Sequence, residues 1–445
     1  MNRWLVWDSR RWRVDETERA RHLARLTMAE FFRQAASLGE GQDEYTSPGA
    51  RLREFASSSA NAHGITNMLV MARSYPGSFV EPCELDTHPY LLNFLNGTVD
   101  LRTGIRSPHN PEHYITKLVH HDYRPGAGCR LWLEFLSQIM GGNKELVRYL
   151  QKAFGYSLTG TTIGKAVFVL FGPRDRGKTT MLSTFRRLIA EYAALMQIES
   201  LMARKQESSS IQEDLADLRG ARFVMSSEGE KGQKLSVARL KRICQGMGTI
   251  KAIRKYEHSI EFPETHKLWM DTNHKPVIPD SEDDAVFSRL HPIPFDVVVQ
   301  KIDRELSGKL LEESEGILAW AVDGAKHWYR DGLTKPAVVN SANEQWRSES
   351  DWLAPFLEDR CIIDAGRAIN TTKLFQAYAQ WAENTRRQVH TIQDFKAKIT
   401  HDDRIIWKHT NVGNTYQGVD LRKQGVRVPS YQTSESESDG EGEGT

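Results

Sequence analysis

The apolar run from Ala166 to Phe171 (AVFVLF) passes without a break into Gly172, Pro173, Arg174, Asp175, Arg176, Gly177, Lys178, Thr179 and Thr180. Met181, Leu182, Phe185, Leu188 and Ile189 follow at helical spacing. A strand, a glycine-bounded loop ending in Gly-Lys-Thr and a helix, in that order, leave the chain few alternatives. The strand must be a buried member of an α/β sheet, and it must deliver the loop to a helix N-terminus, where backbone N–H groups converge on an anion. The N–H groups of residues 172 to 180 then cradle phosphates, Lys178 meets the β and γ oxygens, and the Thr179 hydroxyl binds Mg²⁺. All nine loop residues are expected nucleotide contacts, with ATP and Mg²⁺ as cofactors.

Two further apolar runs, RFVMS (222 to 226) and HKLWMD (266 to 271), have the length of buried strands in the same sheet. Glu228 stands just beyond the first. A carboxylate at the exposed tip of a buried strand is costly unless it meets water or metal, so Glu228 is the expected catalytic acid and second Mg²⁺ ligand, with Glu230 as the competing candidate. Asn273, at the end of the other run, offers an uncharged amide that can hold a water beside the γ-phosphate. Arg289 precedes the apolar, Pro-rich stretch Leu290 to Phe295, which could fix it at a subunit edge as an arginine finger. Between these runs, Lys234 to Tyr256 holds seven lysines and arginines and no acid. Ile250 to Phe262 reads as a hairpin in which Lys251, Arg254, Lys255, Tyr256 and His258 mix phosphate-binding charge with a stacking ring, the expected DNA contacts.

The flanks are simpler. Trp12 to Ala36 predicts an Arg-rich helix, YLLNFLNGTVDL (90 to 101) a hairpin turning at Asn96-Gly97, and Trp132 to Tyr156 two helices broken at Gly141-Gly142. After Asn340, Trp352 to Leu357 and Leu374 to Trp381 read as helices and Arg404 to Leu421 as a β-ribbon. No run of about 18 apolar residues could span a bilayer, and Met1 to Arg13 lacks the pattern of a secretory signal. No membrane is expected, and the cytoplasm is the expected compartment. Cys83, Cys129, Cys244 and Cys361 form no Cys-x-x-Cys pair and are expected as buried thiols; His109 and His113 are expected as surface residues. The net charge is +1, but Glu435, Glu437, Asp439, Glu441 and Glu443 lie in the last thirteen residues, and without them the remainder is +6. Such a tail cannot bury enough apolar surface to offset its ordering entropy and is expected to be disordered.

The order of phosphate loop, Ser-Glu, basic hairpin, Thr-Asn-His-Lys-Pro, Ser-Arg-Leu and Ile-Pro-Phe resembles the superfamily 3 helicases of phage and plasmid primases and of the poxvirus helicase-primase type. LLNFLNGTVDLRTG (91 to 104), the segment from His109 and YLQKAFGYSLTG (149 to 160) resemble the domain preceding the motor in that family, so the likeness spans roughly residues 85 to 300. It implies a homo-hexameric ring, ATP bound between subunits and single-stranded or forked DNA gripped by central hairpins. Carried across, Lys178 and Thr179 match the phosphate loop, Glu228 the catalytic acid, Asn273 the sensor and Arg289 the finger. Three departures stand out. Arg174 and Arg176 replace a glycine and an asparagine of the usual loop, predicting strain or extra charge toward phosphate. Ser227 stands where a second acid is usual, and Gly246-Met247-Gly248 where Gly-Gly-Asp is common. No primase domain is read ahead of the motor, so a separate primase or replication initiator is an expected partner.

The fold expected is therefore α/β: an AAA+-like P-loop NTPase motor (161–335), preceded by a mostly helical domain with a small hairpin (1–160) and followed by a winged-helix-like domain (345–425) and the acidic tail (430–445). The expected activity is ATP-dependent DNA helicase or translocase action in replication of a phage, plasmid or other mobile element. The alternatives are a ring ATPase that loads or remodels a protein on DNA, and a degenerate module that binds ATP or DNA without turnover.

Overall fold

Five short strands make the central sheet: β1 (Val167–Phe171), β2 (Ala193–Leu195), β3 (Phe223–Ser227), β4 (Lys267–Thr272) and β5 (Leu290–Pro294). All neighbouring pairs are parallel, in the order β5-β1-β4-β3-β2. This is a computed structural model, and it describes residues 3–38, 47–203, 209–227, 234–253, 259–278, 283–299, 303–410 and 413–422. The strands are nearly all apolar because both faces are covered. Phe168, Leu170, Phe223, Met225 and Trp269 point into one core, and their neighbours Val167, Val169, Val224, Leu268 and Met270 into the other. The three expected strands are present within a residue of their predicted positions. β5 was not read as a strand because it contains Pro292 and Pro294, yet it lies at the sheet edge with β1 as its partner, where a missing N–H is tolerated.

The first core is completed by the helices Arg130–Ile139, Lys144–Leu158 and Ser314–Asp331. Gly141 and Gly142, both at positive φ, separate the first two as expected. The boundary expected between 160 and 161 does not divide the chain: this core runs from Leu92 to Val339, and residues 1–347 form one compact unit. Two buried cations show why. Arg222 donates to the carbonyls of Leu158 (2.8 Å) and His88 (3.1 Å), and Lys267 to those of Thr159, Thr161 and Thr265. Their rings of contact are Tyr192 and Tyr156. The junction is thus tied to the starts of β3 and β4, and burial holds both cations below their ordinary pKa.

Ahead of this core, the expected helix over Trp12 to Ala36 is shorter, Arg19–Ser37, because Asp15 accepts from the N–H groups of Arg19 and Ala20 and starts it there. Trp12 belongs instead to a hairpin, Leu5–Trp7 with Trp12–Val14. The second hairpin, Leu91–Phe94 with Gly97–Asp100, is as predicted, and Ile105–Ser107 adds a third, exposed strand. His109 is half-buried rather than superficial, its ring nitrogens 2.9 Å from Asn93 Oδ1 and 3.3 Å from the Leu95 carbonyl. Cys83 is exposed and the other three cysteines are buried.

The second unit, from Ser348, packs the helices Ala354–Arg360, Thr371–Asn384 and Ile392–Ile399 on an antiparallel sheet of Cys361–Asn370, Gly413–Leu421 and Ile406–Thr410. Phe356, Tyr378, Trp381, Phe395 and Tyr416 fill its core. The acidic tail lies outside the described residues. Among the described residues no helix is long and apolar enough to cross a membrane.

Candidate functional site

The loop leaves β1 at Gly172 (φ +140°) and enters the helix α1 (Lys178–Ile189) through Gly177 (φ +85°). A Cβ on Gly172 would stand 2.5 Å from the Phe295 carbonyl oxygen, and one on Gly177 2.8 Å from Ile139 Cγ2. Both ends therefore require glycine. The left-handed residue between them is Asp175 (φ +59°), not Arg174, so the strain expected at Arg174 is relocated to a residue type that tolerates it better. Arg174 is exposed, and the Nε of the half-buried Arg176 has no intramolecular partner. No side chain caps α1. Its first-turn N–H groups are left for an anion, as a phosphate site requires.

Lys178 is buried, its ammonium 2.8 Å and 2.9 Å from the carbonyls of Gly172 and Pro173, and 3.4 Å from Asn273 Oδ1. Burial lowers its pKa, while Asp271 and Asp175 act in the opposite direction. The Thr179 hydroxyl donates to Asp271 Oδ2 at 2.5 Å, and Lys178 Nζ is 3.9 Å from Asp271 Oδ1. These meetings follow from sheet order: β4 lies directly beside β1, with Asp271 opposite Leu170 on one side and Ser227 on the other. Lys178, Thr179 and Asn273 are thus brought together. Asp271 joins them and was not singled out, although it closes the run HKLWMD.

Glu228 and Glu230 lie outside the described residues, as do Arg254, Lys255, Tyr256 and His258. The hairpin itself is present, Thr249–Ile253 with Ser259–Pro263, and Lys251 is exposed on it opposite Glu261. Arg289 ends the helix Asp284–Arg289 and donates to the carbonyls of Cys244 (3.0 Å) and Ala285. Since β5 begins at the next residue and runs parallel to β1, Arg289 sits at the opposite end of the sheet from its own loop. A five-residue strand separates the two ends by about 15 Å. Among the described residues no three His, Cys, Asp or Glu side chains group closely enough to hold a metal ion.

Residues 1–141 match the family described as D5 N terminal like, and residues 170–289 match a family of unknown function (DUF5906). Two curated viral proteins are similar. "Putative helicase L207/L206" of Acanthamoeba polyphaga mimivirus is 25% identical over 343 residues, covering 71% of this chain and 35% of that protein. "Putative helicase 022R" of Frog virus 3 (isolate Goorha) is 22% identical over 255 residues, covering 53% and 26%. These matches support a helicase-primase type. The chain spans about a third or less of the length of the curated relatives it matches. Among solved structures, the NrS-1 C-terminal region aligns with this chain at a TM-score of 0.42 and 12% identity, over 67% of this chain and 78% of that one. A second structure of the same region gives 0.40 and 10%, over 66% and 77%.

Proposed function

We propose that this chain is an ATP-dependent DNA helicase or translocase acting in replication of a phage, plasmid or other mobile element. The observation that carries the reading is the convergence of Lys178, Thr179 and Asn273 across two adjacent strands, at the uncapped N-terminus of α1. The loop N–H groups and Lys178 bind the phosphates, and Asn273 orients the attacking water. Glu228, the next residue in sequence after Ser227, takes that water's proton. Mg²⁺ would offset the phosphate charge, and Thr179 and Glu228 would hold it beside the nucleotide. Arg289 is too far from its own loop to serve it and acts on the nucleotide of a neighbouring subunit, which favours a homo-hexameric ring. The sheet order supports an AAA+-like motor over 161–335, and the three helices and small sheet after Ser348 support a winged-helix-like module. Lys251, Arg254, Lys255, Tyr256 and His258 supply the DNA contacts, with a primase or initiator as a separate partner.

The test is steady-state ATPase and strand displacement by the full chain and by Lys178→Ala, with and without single-stranded DNA or RNA, at fixed low salt. DNA-stimulated turnover that is lost in the variant, with displacement in the wild type, is the expected result. Turnover without displacement would favour a ring ATPase that loads or remodels a protein on DNA. Nucleotide binding without turnover would leave a binding module, and stronger stimulation by RNA would replace the substrate.

A further inference from the structure

Among its described residues, β3 closes on Ser226 and Ser227 and carries no carboxylate. The Ser226 hydroxyl is buried without an intramolecular partner. One strand nearer the loop, Asp271 is the next-to-last residue of β4; it is 5% exposed, and its carboxylate accepts the Thr179 hydroxyl proton at 2.5 Å. A threonine that ligates a cation must face it with oxygen lone pairs and donate its proton elsewhere. Asp271 is placed to accept that proton. It also brings a negative charge to within 3.9 Å of Lys178.

We infer that Asp271 is the carboxylate that orients Thr179 toward the divalent cation, a second acid beside Ser227 of β3. The inference rests on the nucleotide-binding reading above and deepens it. Asp271 does not touch the phosphates. Its effect is confined to the cation-dependent part of nucleotide affinity, a role for a positioning residue behind the metal ligand.

The experiment is a titration of the full chain with a fluorescent ATP analogue, in Mg²⁺ and in EDTA at equal ionic strength, for the wild type, Asp271→Asn, Thr179→Val and the double variant. The wild type is expected to bind more tightly in Mg²⁺. Asp271→Asn is expected to lose about 10- to 100-fold of the cation affinity, with its affinity in EDTA unchanged or slightly raised. Thr179→Val should lose a similar part, and the double variant little more, because both act through one hydroxyl. Manganese bound per nucleotide, counted by its paramagnetic resonance, should fall in parallel. Full Mg²⁺ dependence in Asp271→Asn would overturn the inference, as would an equal loss in EDTA, which marks a structural role. If Asp271→Asn does not fold, Thr179→Val still decides: undiminished Mg²⁺ dependence in it removes the proposed partner. A wild type that binds the analogue equally well in EDTA refutes the inference alone, whereas one that binds none refutes the nucleotide-binding reading as well.

Discussion

Asp175 takes the left-handed backbone that the loop needs at its apex, at φ +59°. An L residue there costs roughly 1–2 kcal/mol, less for Asp, whose short polar side chain bonds locally. Asp175→Gly is therefore expected to raise the thermal midpoint slightly and leave nucleotide affinity intact. Asp175→Val should lower stability by about 1–2 kcal/mol and weaken binding, since a β-branched residue suits that region worst. Scanning fluorimetry with nucleotide titration checks both, and equal behaviour of the two variants would refute the account. The glycines at 172 and 177 were legible from sequence because the loop's ends are fixed by the strand and the helix. The residue taking positive φ between them was not, because closure of the whole loop selects it. Asp271 was missed for a related reason: the sequence shows a strand ending in an acid, but not that this strand inserts between β1 and β3.

The loop is in turn supported by an element far from it in sequence. Ile139 and Phe135, on the helix Arg130–Ile139, press on Gly177. That helix has no side-chain cap of its own. Glu313 serves instead, accepting from the N–H groups of Leu131 and Trp132 at 2.9 Å each. Glu313→Ala is expected to cost about 1–2 kcal/mol, as lost caps do, and to weaken nucleotide binding through the loosened support. Urea unfolding reads the first effect; a loss of binding without a shift in the midpoint would contradict the coupling. Glu264 offers a pH test. It accepts from the N–H groups of Gln245 and Gly246 below the hairpin, and burial, the largest influence, raises its pKa from 4.5 to about 7. A raised carboxyl binds its proton more tightly in the folded chain, so its contribution is full below pH 4.5 and is lost as pH rises through 7. Relative to the wild type, Glu264→Gln should gain up to about 3 kcal/mol between pH 5 and pH 8; a constant difference would exclude the shift. At this scale β1, β3 and β4 were legible as apolar runs. The three-residue β2 is too short for a pattern, and the prolines of β5 hid a strand that only its edge position permits.

At the scale of the molecule, the order of motifs was readable but the boundary at 160 was not. Turn residues and a change of texture mark that point in the sequence, while the ties from Arg222 and Lys267 become visible only when β3 and β4 are set beside it. The same sheet geometry makes the sharpest claim about assembly. The loop lies beyond the C-terminal end of β1, and Arg289 precedes the N-terminal end of β5, which runs parallel to it. No side-chain movement brings the two together within one chain, so an Arg289 that acts in catalysis must act across an interface. Lys178→Ala and Arg289→Ala chains should each be inactive alone. Mixed under conditions that allow subunit exchange, they form interfaces in which an intact loop faces an intact arginine. ATPase should then recover to a sizeable fraction of wild type, rising and falling with the mixing ratio. Recovery requires both an assembly and an arginine supplied in trans; mixtures that exchange subunits yet stay inactive at every ratio would remove Arg289 from the mechanism and leave it tied to Cys244 and Ala285 as a structural residue.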